Sequence, residues 1–558
     1  MIKEKVHDDL IDIVGEEHFS DEEYLRELYS QDIAALPGIV NDILNRKTEA
    51  VVQPTSVEMV SSLLKYCSAN GIPMVPRGHG TSGYGGAIPA EGGIVIELAR
   101  LDDVYSINKQ DMTVEVGAGI TWKQLLEALE TEGLTLAAYP SSAPSSTVGG
   151  WVASGGTGIG CTKYGGIREQ VIELEVVLAN GRIISTTDVP NDIVEALGDK
   201  DEFSENDITS LFIGSSGALA IVTKAVLKII PYRKIRSKLA SFQSESQMFS
   251  ALQDLSTETH PFFLHFVNDS FYQMLNELGK APDTKGDWVI LSTFEGTDEE
   301  IEQEIATFNT LIPLHGGFIE NDKVAEHEWD ERFYPMRIKR LGPSIAPSEV
   351  YIPLEELENF TASLNKHFKR ERFAIEGSVT NKGEVAVLTW FLDDERRRIS
   401  FLMGWHRSLD VVKIGLKYGG RAYSVGMWLA AYSKSHFGEE TYNRMVKLKK
   451  ITDPKNVLNS HKVFPGSLNL SLRMNLLILT IGTLAVPAVL SLIGMFYPYI
   501  LDTYLPFLNV QTLSGLTISI GLGFFLGAAV AALINRLSVS FMLSIGAPFL
   551  RLGRRIFH

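Results

Sequence analysis

Cysteine is nearly absent: Cys67 and Cys161 are the only two in 558 residues. Two thiols cannot supply the four thiolates of a typical iron–sulfur cluster or a disulfide framework, so redox chemistry here needs an organic cofactor or another metal centre. Positive charge is also short. There are 51 Lys plus Arg against 68 Asp plus Glu, a formal net charge of −17, which repels phosphate backbones and excludes nucleic acid as the main partner. The N-terminus, MIKEKVHDDLIDIVGEEHF, has no apolar run leading to a cleavage site, so no secretory signal is read there and the body is expected to stay inside the cell. Repeats and low-complexity tracts are missing from the body. What remains is ordinary for a large globular chain. With 45% hydrophobic residues and 27 Phe, 18 Tyr and 7 Trp, there is enough for several cores, and the length predicts three or four structural units.

Charge disappears at the C-terminal end. Met474 to Leu501 is uncharged, as is the stretch between Asp502 and Arg536, and each exceeds the roughly 20 residues a helix needs to cross a bilayer. Two spans are expected, at about 474–498 and 511–535, followed by an interfacial segment at 537–555. Arg473 precedes the first span and Arg536, Arg551, Arg554 and Arg555 follow the second. By the positive-inside rule this places both ends, and the body, in the cytoplasm.

In the body, SVEMVSSLLKYCSANG reads as a helix with a Ser N-cap and a terminating Gly71, followed by a strand, IPMV. The strand runs into Pro76, Arg77, Gly78, His79, Gly80, Thr81, Ser82 and Gly83, a formal GxGxxG. The usual dinucleotide fingerprint needs a helix opening inside the glycines to hold the pyrophosphate, and the continuation AIPAEGG forbids one. Consecutive glycine N–H groups still form an anion-binding concavity; a glycine-rich hairpin turn is the other reading. Two further Gly/Ser/Thr-rich loops follow between β-type runs. One holds Pro140, Thr147, Val148, Gly149, Gly150, Ser154, Gly155, Gly156, Gly158 and, beyond it, Tyr164; the other is LFIGSSGALAIVT, with Gly217 and Ile221. Together they suit one long polyphosphate ligand.

The order PRGxGTxxxGG, VxxGxG, PSxxxxxTVGG, KYG and LFIGSxGxLxIxT resembles the FAD domain of the vanillyl-alcohol oxidase and p-cresol methylhydroxylase superfamily, in the branch that holds D-lactate dehydrogenases and glycolate oxidase. Tyr29-Ser-Gln-Asp32 resembles the YSxD ahead of that domain, and DPKNVLN with Lys462-Val-Phe resembles the family's closing segment. The resemblance implies an α+β fold. Its parts are an N-terminal helical segment (1–48), a two-subdomain FAD-binding domain (49–232), an antiparallel-sheet substrate domain (233–418) and a return to the flavin (419–465), ahead of a membrane hairpin (466–558). It implies that Arg77 to Ser82 clasp the FAD diphosphate, that Thr147 to Gly150 and Ser154 to Gly156 line the flavin and ribityl chain, and that Ile221 lies near the adenine. Asn459 and Lys462 resemble tail residues that return to the flavin, although Lys462 also reads as a surface lysine. Family members that tether FAD do so through a histidine where Thr81 stands here, so non-covalent FAD is expected and His79 is a loop residue or a flavin neighbour.

The hydroxy-acid branch carries metal-binding histidines in GHxGDGNxH and GEHG segments. The nearest equivalents here, Gly377 to Ala386 and Gly419 to Gly426, contain none, so no metal site is expected. Arg332, in a WxxR, is a candidate for binding a substrate carboxylate or phosphate, and His406 and Tyr423 are candidates for proton transfer. Packing is the other role open to each. Cys161 is a buried filler or a thiol beside the flavin, and His260, His265 and His436 show no ligand spacing. The chain is thus expected to be a membrane-anchored FAD-dependent dehydrogenase taking a hydride from an organic substrate, such as a hydroxy acid, and passing electrons to a quinone or a carrier protein. An FAD enzyme of a lipid or lipid phosphate, and a non-catalytic flavin scaffold, are the alternatives.

Overall fold

The computed structural model describes residues 4–33, 47–198, 205–342, 344–465, 472–496, 508 and 513–535. The first sheet has the order β1-β2-β4-β3, with β1 Phe19–Ser20, β2 Ala50–Val52, β3 Met74–Arg77 and β4 Ile94–Glu97. Its core strands are parallel, which requires a crossover between β2 and β3. The helix Val57–Asn70 provides it. Ser56 Oγ accepts from the Met59 N–H, Gly71 ends the helix at φ 67°, and Val60, Leu63, Leu64 and Cys67 face the sheet.

The second sheet is antiparallel and runs β5-β6-β10-β8-β9, with β5 Val104–Asn108, β6 Thr113–Gly117, β8 Val171–Leu178, β9 Ile183–Ser185 and β10 Ala220–Pro231; β7, Leu134–Leu136, also pairs with β10. The third sheet has eight strands, which are β11 Lys234–Phe242, β12 Phe263–Val267, β13 Trp288–Gly296, β14 Phe318–Ile319, β15 Ser344–Pro353, β16 Phe373–Val379, β17 Glu384–Asp393 and β18 Arg421–Ala422. Their order is β14-β11-β13-β12-β16-β17-β15-β18, and every adjacent pair is antiparallel. Alternation divides its side chains. Val350, Ile352, Ile375, Val385 and Val387 pack under helices in one apolar core, and the residues between them turn toward the first two sheets.

One sequence expectation needs correcting. The second glycine cluster is not loop throughout, because Val148–Ser154 is a short helix with Thr147 as its N-cap and Gly155 as its left-handed terminus. Glycines at 149 and 150 hid it.

Beyond the body, two helices, Leu472–Phe496 and Leu513–Asn535, lie against each other. Small residues set the contact: a Cβ on Gly482 would stand 2.7 Å from both Gly523 O and Gly527 Cα, the close backbone approach typical of helix pairs in lipid. Of the two expected spans, one among the described residues has the length and apolarity of a crossing helix. Leu516–Leu533 is long and apolar enough to cross a membrane, whereas the apolar stretch of the first helix is Ile478–Ile493. The expected interfacial segment lies outside the described residues.

Candidate active site

Three loops bring the glycines to one cleft. Pro76 to Gly83, Pro140, Thr147, Gly149, Gly150, Ser154, Gly217 and Ile221 all line it. The close approaches explain the residue types. A Cβ on Gly78 would stand 2.3 Å from Thr147 Oγ1, the atom that accepts from the Gly150 N–H at 3.2 Å, and a Cβ on Gly149 would stand 2.6 Å from Ala118 Cβ. Gly80, at φ 67°, lies against the Arg77 guanidinium, which donates to Gln31 O at 2.5 Å and sits 5.1 Å from the Tyr29 ring centre. Such a cradle lets the backbone approach a ligand along its whole length. His79 turns its Nδ1 to Ser145 O at 2.9 Å.

The remaining glycine-cluster candidates stand elsewhere. Val148 is core, Gly155 packs on Gly214, Gly156 packs on the Trp151 indole, and Gly158 lines the neighbouring cavity. Tyr164 turns away to bond Glu295. Asn459 and Lys462 brace the cradle from behind. Asn459 Nδ2 donates to Gly86 O and Ser216 O, and Lys462 Nζ donates to Ile88 O at 2.6 Å. Lys462 is fully buried rather than on the surface, and burial lowers its pKa against the opposing pull of Asp32. Cys161 is buried, its thiol pushed up to about 12 by desolvation and directed at Val379 O, which is the filler reading.

A second cavity lies over this cleft, walled by the third sheet, and four residues, Ser141, Thr157, Glu349 and Tyr423, line both. The strand register builds that wall. Glu349 on β15 lies opposite Leu388 on β17, which lies opposite Glu376 on β16, then Val267 on β12 and Val289 on β13. One pleat along, Tyr351 is followed by Ala386, Ser378, His265 and Leu291. All but Tyr351 line the cavity.

Tyr423 is held rigidly at the seam. Its hydroxyl accepts from Thr157 N at 2.7 Å and donates to Thr157 O at 2.8 Å, and its ring stacks on Tyr351 at 5.2 Å. Burial raises its pKa, with Tyr351 and Glu349 adding to the shift. Glu349 is part-buried beside it and is pushed up to about 7, chiefly by desolvation, against the hydrogen bond it accepts from Tyr84. Arg332 enters from above, its guanidinium carbon 4.4 Å from the Trp329 ring centre and 4.3 Å from that of Phe333, with Nε buried and unbonded. Arg337 lines the same cavity but is held by both oxygens of Glu328. His406 is not at the site. It is buried 3.8 Å from Asp410, on a helix packed against β15, and lines neither cavity.

Residues 48–187 match the FAD binding domain model and residues 232–463 match the model for the C-terminal domain of FAD linked oxidases. The chain belongs to this FAD-linked oxidoreductase family. It is 27% identical over 478 residues to glycolate oxidase subunit GlcD of Bacillus subtilis, covering 83% of this chain and 97% of that one. To the D-lactate dehydrogenase of Archaeoglobus fulgidus it is 27% identical, over 74% and 90% of the two chains. Among solved structures it superposes on p-cresol methylhydroxylase with TM-score 0.67 at 17% identity, over 82% and 96%. On alkyldihydroxyacetonephosphate synthase the TM-score is 0.66 at 19% identity, over 83% and 86%. The fold is therefore the p-cresol methylhydroxylase type, the cofactor is FAD and the chain is an enzyme. The scaffold reading is set aside.

Sequence reasoning missed Glu349, Glu376, Ser378 and His265. Ser378 sits in a segment compared only with a metal-binding motif, Glu376 directly precedes that segment, and His265 gave no spacing signal. Strand alternation on β15, with Glu349 and Tyr351 alternating with Val350 and Ile352, was the one signal available. Among the described residues no three His, Cys, Asp or Glu converge as a metal site.

Proposed function

We propose that the chain is a dehydrogenase of a 2-hydroxy acid, carrying FAD non-covalently and held at a membrane. The observation that carries this reading is the seam, where the glycine cradle opens into a cavity containing an arginine and a carboxyl group near neutrality. The cradle suits FAD because its glycines remove every Cβ that would block the backbone N–H groups. Arg77 to Ser82 would hold the diphosphate, and Thr147, Gly149 and Gly150 would lie along the ribityl chain. Bound there, FAD supplies an acceptor for the hydride. Arg332, held against two aromatic rings and by Trp329 O, binds the substrate carboxylate through its planar guanidinium. Glu349, as carboxylate, takes the hydroxyl proton, since an acid poised near pH 7 is an efficient general base. Tyr423 fixes Thr157 and closes the seam to water.

Leu516–Leu533 with its glycine-packed neighbour would hold the body beside the bilayer with the flavin domain on the cytoplasmic side, bringing a quinone or a carrier protein to high local concentration as electron acceptor. A second reading, an FAD enzyme of a lipid or lipid phosphate, draws on the apolar lining of the cavity and the likeness to alkyldihydroxyacetonephosphate synthase. Anaerobic bleaching of the flavin separates the two: glycolate or another 2-hydroxy acid should reduce it within seconds, and reduction only by a lipid would replace the first reading with the second.

A further inference from the structure

The far wall of the substrate cavity has a polar cluster that the reading above does not use. Glu376 is more than nine-tenths buried and lines the cavity; its Oε1 accepts from Trp390 Nε1 at 2.9 Å. Its Oε2 is 3.6 Å from His265 Nε2, beyond hydrogen-bond reach. His265 Nδ1 is 3.0 Å from Ser378 Oγ, and the imidazole stacks on Phe263 at 5.4 Å. The cluster therefore has rigid backing on the cavity wall, and among the described residues the nearest cationic group to Glu376 Oε2 is His265 Nε2, at 3.6 Å.

Position gives it meaning. Adjacent strands lie about 4.8 Å apart, so Glu376 stands roughly 10 Å, and His265 roughly 14 Å, across the wall from the Glu349 strand. Leu388 and Ala386 fill the interval, and Leu239, Val289 and Leu291 form the apolar end beyond. A molecule as short as glycolate or lactate, with its carboxylate on Arg332 and its hydroxyl at Glu349, leaves the cluster unanswered. A carboxylate oxygen on a mostly buried side chain is costly when no donor meets it.

We propose that Glu376, His265 and Ser378 form a distal subsite for a hydrogen-bond donor, so that the substrate is an extended 2-hydroxy acid with an apolar spacer and a terminal hydroxyl or ammonium group. This rests on the hydroxy-acid reading for the acid end alone. The subsite disfavours a second carboxylate, because Glu376 would face it with only His265, 3.6 Å away, to offset the two charges. Glu349 already registers Glu376, whose charge contributes to raising its pKa.

Ligands that cannot be oxidised separate this subsite from the chemistry. Binding of pentanoate, 5-hydroxypentanoate, 5-aminopentanoate and pentanedioate to the FAD-loaded full chain in detergent would be measured by calorimetry. The hydroxy or amino ligand should bind at least about tenfold more tightly than pentanoate, and pentanedioate most weakly. The better of the two identifies the terminal group. Glu376→Gln should keep the hydroxyl preference and lose the ammonium preference, and Glu376→Leu should erase both and favour pentanoate. Equal affinities across the series, tightest binding of pentanedioate, or no binding of any member at millimolar concentration overturns the subsite. If the expected order appears while no 2-hydroxy acid bleaches the flavin, the subsite stands and the hydroxy-acid reading falls.

Discussion

Tyr84, in the first glycine loop, donates its hydroxyl to Glu349 Oε2 at 3.1 Å on β15, 265 residues away. One hydrogen bond thus links the cofactor cradle to the substrate wall, and it competes with burial in setting the Glu349 pKa.

That balance predicts pH dependence. If Glu349 works as a carboxylate, the rate of flavin reduction in stopped flow should rise through pH 7. Glu349→Gln should be slower by about 10²- to 10⁴-fold and flat across that range. Stability should move the other way. Below pH 4.5 the group is protonated in both states; between 4.5 and 7 the unfolded chain ionises it and the folded chain does not, so stability falls by on the order of 3 kcal/mol across that window. Denaturant titrations of the Gln variant should lack that part of the slope.

Arg332 lies against the Trp329 and Phe333 rings and donates Nη1 to Trp329 O at 2.9 Å, which fixes the guanidinium plane offered to a carboxylate. Arg332→Lys keeps the charge but loses the plane. Steady-state kinetics should show a KM raised by about 10- to 100-fold with kcat changed little, and Arg332→Ala should raise KM further. A fall in kcat at constant KM would place Arg332 in the chemical step instead.

Gly78 is opposed by Thr147 Oγ1, the cap of the helix behind it. Gly78→Ala forces the two apart, costing about 1–3 kcal/mol, and lifts the loop from the cradle. The purified variant should carry well under half the flavin of the wild type by its absorbance ratio, whereas Gly133→Ala, where nothing lies within 4 Å but φ is 71°, should lose stability and keep its flavin.

The flavin should come free on acid precipitation. His79 points at Ser145 O, and Thr81 stands at the position that carries the tether in covalent members of the family. Yellow colour retained in the pellet would contradict non-covalent binding.

Local chemistry made part of this protein legible. The Ser56 cap and Gly71 stop bound one helix at the expected residues, and three glycine clusters in order pointed to one cleft. What escaped was assembled across the chain. Glu349, Glu376 and His265 come from β15, β16 and β12, and only strand register places them on one wall. His406 lies in a stretch whose place in the chain suggests the flavin, but the helix it begins packs on β15 and it lines neither cavity. Lys462 reads both as a tail residue returning to the flavin and as a surface lysine ahead of an apolar tail, and only the fold buries its ammonium against Ile88 O.

The closing segment of the body also imposes an order in time. Leu458 pairs with Met74, the Asn459 N–H donates to Met74 O, and Lys449 ties Asp453 to Ala218. The strand that feeds the first glycine loop therefore gains its last neighbour only when residue 459 has been synthesised, and the next thing to leave the ribosome is the apolar helix pair. Completion of the cradle and synthesis of the apolar helices are consecutive events, so the first glycine loop gains its last support just before the helix pair emerges.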